Sequence, residues 1–411
     1  MSLIRPFAGL RPAPGNAALV AAPPYDVVTA DEARNLVINR PFSFLHISRS
    51  EIDLPADTDP YSEVVYLKAK ENLDTMLQAG ILQRDVTPCY YVYRLTMGQH
   101  HQIGLVMAAS IAAYDTSRIK KHEFTRPAKE DDRVRQIEAL NAQTGPVFLA
   151  YPSNPVLDDL LQAVTRDRHE IDINLNEVRH ELWVIENFKT IEEITRLFEM
   201  LPAMYIADGH HRCAAASRVC ATRRQANSQH TGDESYNYFL SVAFPHTQLQ
   251  ILDYNRVLKD LNDLSEEEFF TRLQQAWQYQ KSSEPVRPIQ TNEFGMYLNN
   301  TWYRLTIKPE LIPNDPVQRL DVSLLANYLI APILGITDQR RDERIDFVGG
   351  IRGLSAIEAR VNSGEMRVGF ALYPTRITDL MAVADAGEVM PPKSTWFEPK
   401  LADGLVSQVL D

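Results

Sequence analysis

Asp208-Gly209-His210-His211-Arg212 places an acid, a glycine, two imidazoles and a guanidinium in consecutive positions, directly after the apolar run Met204-Tyr205-Ile206-Ala207. The helix-forming segment Cys213-Ala214-Ala215-Ala216 follows at once. An apolar run that stops at an acid and a glycine before such a segment predicts a strand, a tight turn and a helix start. The first turn of a helix leaves backbone N–H groups open to an anion. With His210, His211 and Arg212 beside those groups, the turn suits a phosphate. Asp208 suits capping the helix, orienting a histidine or holding a metal. A capped surface helix is the plainer alternative.

Three other stretches carry residue types of the same kind. Between Ile119 and Arg133, a potential base (His122 or Glu123) lies among cations able to clamp phosphates: Lys120, Lys121, Lys129 and Arg133. A solvated charged loop is the alternative there. Lys393-Ser394-Thr395 follows Pro391 and Pro392, which gives a cation and two hydroxyls on a stiffened loop. The adjacent Trp396 and Phe397 predict that this segment is packed down. Tyr25-Asp26 follows Pro23-Pro24 and reads either as a rigid site loop or as a buried tyrosine with a capping acid.

The elements that must hold these residues alternate along the chain. Helix starts are expected after Thr29, at Asp59-Pro60 running to Gln83, at Asp131 running to Asn141, and at Ser265. Phe44–Arg49 alternates like a strand, and Cys89–Thr96 with Gln102–Ile111 predicts a hairpin tipped by His100 and His101. Strands are also expected at 147–150, 182–185, 238–244 and 249–253, with helices at 156–165 and 190–200. A hairpin over 294–307, a helix over 322–330 and a strand over 367–373 complete the last third. The sum is an α+β fold, a mixed sheet with packed helices. A boundary near residue 255 gives domains 1–255 and 256–411.

Composition narrows the function classes. A chain of 411 residues is expected to form two or three domains, at roughly 150 residues each. The net charge of −12 argues against non-specific binding to nucleic acid or to an anionic membrane surface. No apolar run has the length of a membrane span. The opening residues lack the charged-then-apolar layout of a secretory leader. Cys89, Cys213 and Cys220 are odd in number and lack metal-ligand spacing, which points to a reducing cytoplasm. Cys213 and Cys220 are expected on the packed face of their helix. Gly349-Gly350-Ile351-Arg352-Gly353 fits neither GxxxxGK[ST] nor GxGxxG, so it adds little support for a nucleotide site.

Taken together, Ala22-Pro23-Pro24-Tyr25-Asp26-Val27, Lys121-His122-Glu123 through Asp132-Arg133, Ile206 through Arg212, and Met390 through Thr395 resemble the bacterial and archaeal family catalogued as domain of unknown function 1015. More distantly, the Asp-Gly-His-His-Arg turn is similar to the Asp-Gly-His-Thr-Arg turn of free serine kinases, which share a fold with the nucleotidase domain of ParB proteins. His211 stands where that family has threonine, and the kinases' catalytic glutamate has no counterpart by motif.

The resemblance implies a ParB/sulfiredoxin-like core with large elaborations, and Mg²⁺-dependent phosphoryl transfer from ATP or ADP to a small hydroxyl-bearing metabolite, free serine among the candidates. The expected catalytic set is Asp208, His210, His211, Arg212, Glu123 and Asp26. Asp208 would bind Mg²⁺ and Glu123 or Asp26 would take the hydroxyl proton. The expected cofactor-binding set is Lys121, His122, Lys129, Arg133, Lys393, Ser394 and Thr395. The partners expected are a small molecule and a nucleotide, with a homodimer left open. Two rival readings are a ParB-like nucleic-acid-binding regulator and a metal-dependent phosphoester hydrolase using His210, His211, Asp208 and His122.

Overall fold

Where apolar residues alternate or run without a break, the chain pairs into sheets. In the computed structural model, which describes residues 2–411, it divides into two compact units. One comprises Met1–Leu249 with Pro399–Asp411, the other Gln250–Glu398. The expected boundary gives a second domain of 256–411. The division found here returns Pro399–Asp411 to the first unit.

Among the described residues, the first unit is built on a nine-stranded sheet. Across it run Ile119–Lys120, Met204–Asp208, Val147–Tyr151, Tyr238–Pro245, His100–Ser110, Tyr90–Met97, Val178–Ile185 and Ile171–Leu175, with Ile4–Arg5 paired to His100–Ser110. Met204–Asp208 pairs parallel to Ile119–Lys120 and antiparallel to Val147–Tyr151, which itself runs parallel to Tyr238–Pro245. The sheet is therefore mixed, as expected. The expected hairpin forms between Tyr90–Met97 and His100–Ser110.

Met204 through Ala207 are buried, as a strand covered on both faces requires. Truncating Ile206, fully buried in the main core, to Ala is expected to cost about 2–5 kcal/mol. The helix His210–Ala226 lays Cys213, Ala215, Ala216, Val219 and Cys220 inward. Both cysteines are on its packed face, and burial pushes the Cys213 thiol up. Its alanines permit close approach to the helix Pro127–Leu140, where Ile137, Ala215, Val219 and Leu410 form a small core of their own. Leu410 reaches it because Ser407–Val409 pairs with Gly9–Pro12 and with Ala142–Gln143.

In the second unit, Trp277–Ser282, Thr301–Ile307, Glu293–Leu298, Val368–Leu372, Tyr254–Leu258 and Ile345–Gly349 form an antiparallel sheet in that order. Ser265 starts the helix Glu266–Leu273 with a reciprocal capping box to Glu268.

Three local expectations fail for identifiable reasons. Phe44–Arg49 is not a strand: Leu45–Ser48 makes one helical turn, with the Phe44 N–H committed to Val20 O. The helix expected from Pro60 begins at Glu63, because the Asp59 carboxylate accepts the Tyr61 N–H and closes a turn first. The helix expected from Asp131 begins at Pro127, which takes the first helical position. Among the described residues, no helix is long and apolar enough to cross a membrane.

Candidate functional site

The strand Met204–Asp208 ends on an acid because the next residue must turn. Gly209 takes φ +102, and a Cβ there would meet the Arg212 guanidinium Nε at 3.1 Å. The N-cap position is Gly209, which has no side chain to offer, and the Asp208 carboxylate takes the Gly209 N–H. Arg212 comes back along the first turn and sets Nη2 3.5 Å from Asp208 Oδ2 and 3.6 Å from Asp26 Oδ2. Its Nη1 donates to Pro146 O. One buried guanidinium thus joins the acid of the turn to the acid after the double proline.

The closing segment supplies two groups that the sequence reading missed. Lys400 Nζ lies 3.8 Å from Asp208 Oδ2. Asp403 is buried and accepts the Tyr25 N–H at 3.2 Å, while its backbone bonds to Ala22 in both directions. That pairing fixes the Pro23-Pro24-Tyr25-Asp26 loop. No local signal marks Lys400 or Asp403, since both arrive by long-range strand pairing.

Charge in this cluster is unevenly titrated. Burial pushes Asp208 up, but Lys400, Arg212, His210 and the Gly209 N–H outweigh it and hold the carboxyl down at about 2. Asp403 goes the other way: burial, with Asp26 adding, raises it to about 7 against Arg212, the Tyr25 N–H and Arg133. Burial also lifts the Tyr25 phenol to about 12.

The histidines are structural on one side and open on the other. Burial lowers His210 well below the usual imidazole range, and the cost of adding charge beside His122 lowers it further. Its Nε2 accepts the His122 backbone N–H at 3.3 Å, and Nδ1 lies 3.9 Å from Glu123 Oε2. The His122 ring meets the His210 ring edge to face, with centroids 4.5 Å apart. Burial brings His122 down to about 4, and its Nδ1 has no hydrogen-bond partner among the described residues. His211 accepts the Arg126 N–H at 3.0 Å and so ties the charged block to the motif helix.

Of the expected residues, Asp26, Glu123, His122, Asp208, His210, His211 and Arg212 come together here. Arg133 joins through Tyr25: its guanidinium covers the Tyr25 ring at 4.0 Å while it forks onto Asp132 at 2.9 and 2.7 Å. Lys121 instead lies over the Tyr114 ring, and Lys129 donates to the Tyr61 hydroxyl. Lys393, Ser394 and Thr395 belong to the second unit. There the Ser394 hydroxyl donates to Pro391 O, Thr375 donates to Ser394 O, and Lys393 holds φ +58 with its ammonium over Tyr254. As expected from Trp396 and Phe397, this segment is packed down: Phe397 is buried.

The donor set suits anions and hard cations. Two part-exposed carboxylates, Asp26 and Asp208, share one guanidinium, with an ammonium and a glycine-capped helix start adjacent. Mg²⁺ usually takes one or two carboxylates plus substrate phosphates, which these residues can offer. Among the described residues, the three-ligand group is His169, Asp172 and Glu181, whose carboxylates are taken by Arg179 and Arg94.

No curated protein matches the sequence. Among solved structures, a conserved hypothetical protein from Pyrococcus furiosus is 13% identical, with 74% of this chain and 95% of that chain covered and a TM-score of 0.35. A free serine kinase in complex with ADP is 13% identical, with 75% and 95% covered and a TM-score of 0.33. SbnI from Staphylococcus aureus is 11% identical, with 74% and 87% covered and a TM-score of 0.37. Likenesses this remote leave the chemistry to be argued from the residues. The family model described as protein of unknown function DUF1015 matches residues 4–323, and the chain belongs to that family.

Proposed function

We propose that the first unit carries a phosphoryl-transfer site, moving phosphate from ATP or ADP to a small hydroxyl-bearing metabolite with Mg²⁺, free serine being the acceptor to test first. The observation that carries this reading is the Asp26–Arg212–Asp208–Lys400 chain at the start of a helix with glycine at its N-cap. Phosphoryl transfer asks for positioning and charge neutralisation more than for covalent chemistry. Arg212, Lys400 and the first helical N–H groups supply positive character where phosphate oxygens would lie. Asp208, held ionised, and Asp26 would hold Mg²⁺, which supplies further charge neutralisation when bound.

The acceptor proton needs a base. Glu123 is half-exposed and stands 3.9 Å from His210 Nδ1, so it is the carboxylate best placed to receive it, with Asp26 the alternative. His210 orients Glu123 as a neutral imidazole, and His122 and His211 hold the block in place. Lys121 and Lys129 are left to recognition of the rest of the nucleotide or acceptor. The same reading takes the first unit as a ParB/sulfiredoxin-like core and the setting as cytoplasmic. A mixed sheet with a strand–glycine–helix turn supports the first, and buried free cysteines support the second.

Incubating the protein with labelled ATP or ADP, Mg²⁺ and a pool of hydroxy-metabolites tests the reading. A phosphorylated metabolite, lost in Asp208→Asn and Glu123→Gln, is expected. Nucleotide left untouched across the pool, with retention of the protein on DNA, would replace it with the regulator. Hydrolysis independent of any acceptor would favour the hydrolase.

A further inference from the structure

The second unit contains a cavity that owes nothing to the Asp-Gly-His-His-Arg turn. It encloses about 440 Å³ of empty space, the open solvent at its mouth included. Asn292, Arg319, Asp321, Tyr373, Arg376 and Asp379 are among its lining residues. Two of these are already satisfied by each other: Arg376 forks onto Asp379 at 2.8 and 2.7 Å.

The other charged pair is not. Asp321 Oδ1 accepts the Asn292 N–H at 2.9 Å, whereas Oδ2 is shielded from bulk water and has no hydrogen-bond partner among the described residues. Arg319, also in the lining, is exposed. A shielded carboxylate oxygen without a donor is costly, and native proteins rarely leave one without a reason. The lining therefore holds a buried carboxylate oxygen without a donor and an exposed guanidinium.

We propose that this cavity binds a small zwitterion of the free amino-acid class, its ammonium on Asp321 Oδ2 and its carboxylate on Arg319. The carboxyl of Asp321 fits such a partner. Burial, with Asp379 adding, raises it to about 7 against the Asn292 N–H and Arg376, and an ammonium alongside would favour the ionised form.

The test uses the full chain with glycine and L-alanine, which lack the hydroxyl required of an acceptor in the first unit. Titration by calorimetry or by NMR shifts is expected to saturate for both. N-acetylglycine, which keeps the carboxylate but lacks the ammonium, is expected not to bind. Asp321→Asn keeps the Oδ1 acceptor for Asn292 and is expected to fold while weakening binding at least about tenfold, roughly the effect of one lost charge-assisted hydrogen bond. Arg319→Ala is expected to weaken glycine binding in the same way. Absence of saturation with either zwitterion, equal binding of N-acetylglycine, or unchanged affinity in a folded Asp321→Asn would each overturn the proposal. The result does not depend on phosphoryl transfer in the first unit, so the two readings stand or fall separately.

Discussion

The backbone N–H of His122 donates to Nε2 of His210 across 3.3 Å, joining two blocks 88 residues apart in sequence through the ring of the motif's first histidine. An Nε2 that accepts must leave the ring proton on Nδ1, the atom that faces Glu123. The hydrogen bond thus decides which nitrogen can speak to the proposed base.

His210 is expected to stay neutral, in the Nδ1–H form, well below pH 6.5. Long-range ¹H–¹⁵N correlations of the histidine rings would show it. A His210 ring that titrates near the ordinary imidazole value of about 6.5 would refute the burial assigned to it.

Lys400→Ala removes the first-named of the cations that hold the Asp208 carboxyl down. Its acid limb is expected to move to higher pH in a rate profile of the proposed transfer, with turnover falling on the order of 10- to 100-fold as one charge contact to the phosphates is lost. An unchanged profile would take Lys400 out of the site.

Gly209→Ala forces a side chain into φ +102 and against the Arg212 guanidinium. A loss of about 1–3 kcal/mol in denaturant unfolding is expected from the backbone alone, together with loss of transfer because Arg212 is displaced. Wild-type stability in this variant would contradict the geometry of the turn.

Asp403 sets a pH dependence with a definite sign. Its folded value of about 7 lies above the ordinary carboxyl value of 3.8, so between those limits the folded form keeps a proton that the unfolded form has lost. The stability it contributes is full below the lower limit and lost as pH rises through about 7. Asp403→Asn is therefore expected to melt higher than wild type at pH 8, by roughly 2–4 °C for each kcal/mol recovered. The gap should close as pH falls towards 4. A melting curve that shows the opposite trend would place the carboxyl in a different environment.

How much of this was legible depended on how local the cause was. Gly209 and the strand and helix on either side of it follow from adjacent residues, so the turn could be read directly. The capping box at Ser265 was equally local. Phe44–Arg49 could not be settled, because six residues of alternation also fit one helical turn that a contact from Val20 then fixes. The charged block hid the start of its helix: Pro127 gives the stop for the loop and the first helical position at once, and the charges that follow mask the apolar period. Lys400 and Asp403 were beyond reach, because nothing near them in sequence marks them. Pairing of Ala22 with Asp403 and of Ser407–Val409 with two strands brings them in.

The first unit is interrupted in sequence by Gln250–Glu398 and resumes only at Pro399. A ribosome therefore has to translate the whole intervening unit before Lys400 and Asp403 exist. Until then the nascent chain carries its aspartate–arginine pair without the ammonium that restrains it and without the acid that fixes the Tyr25 loop.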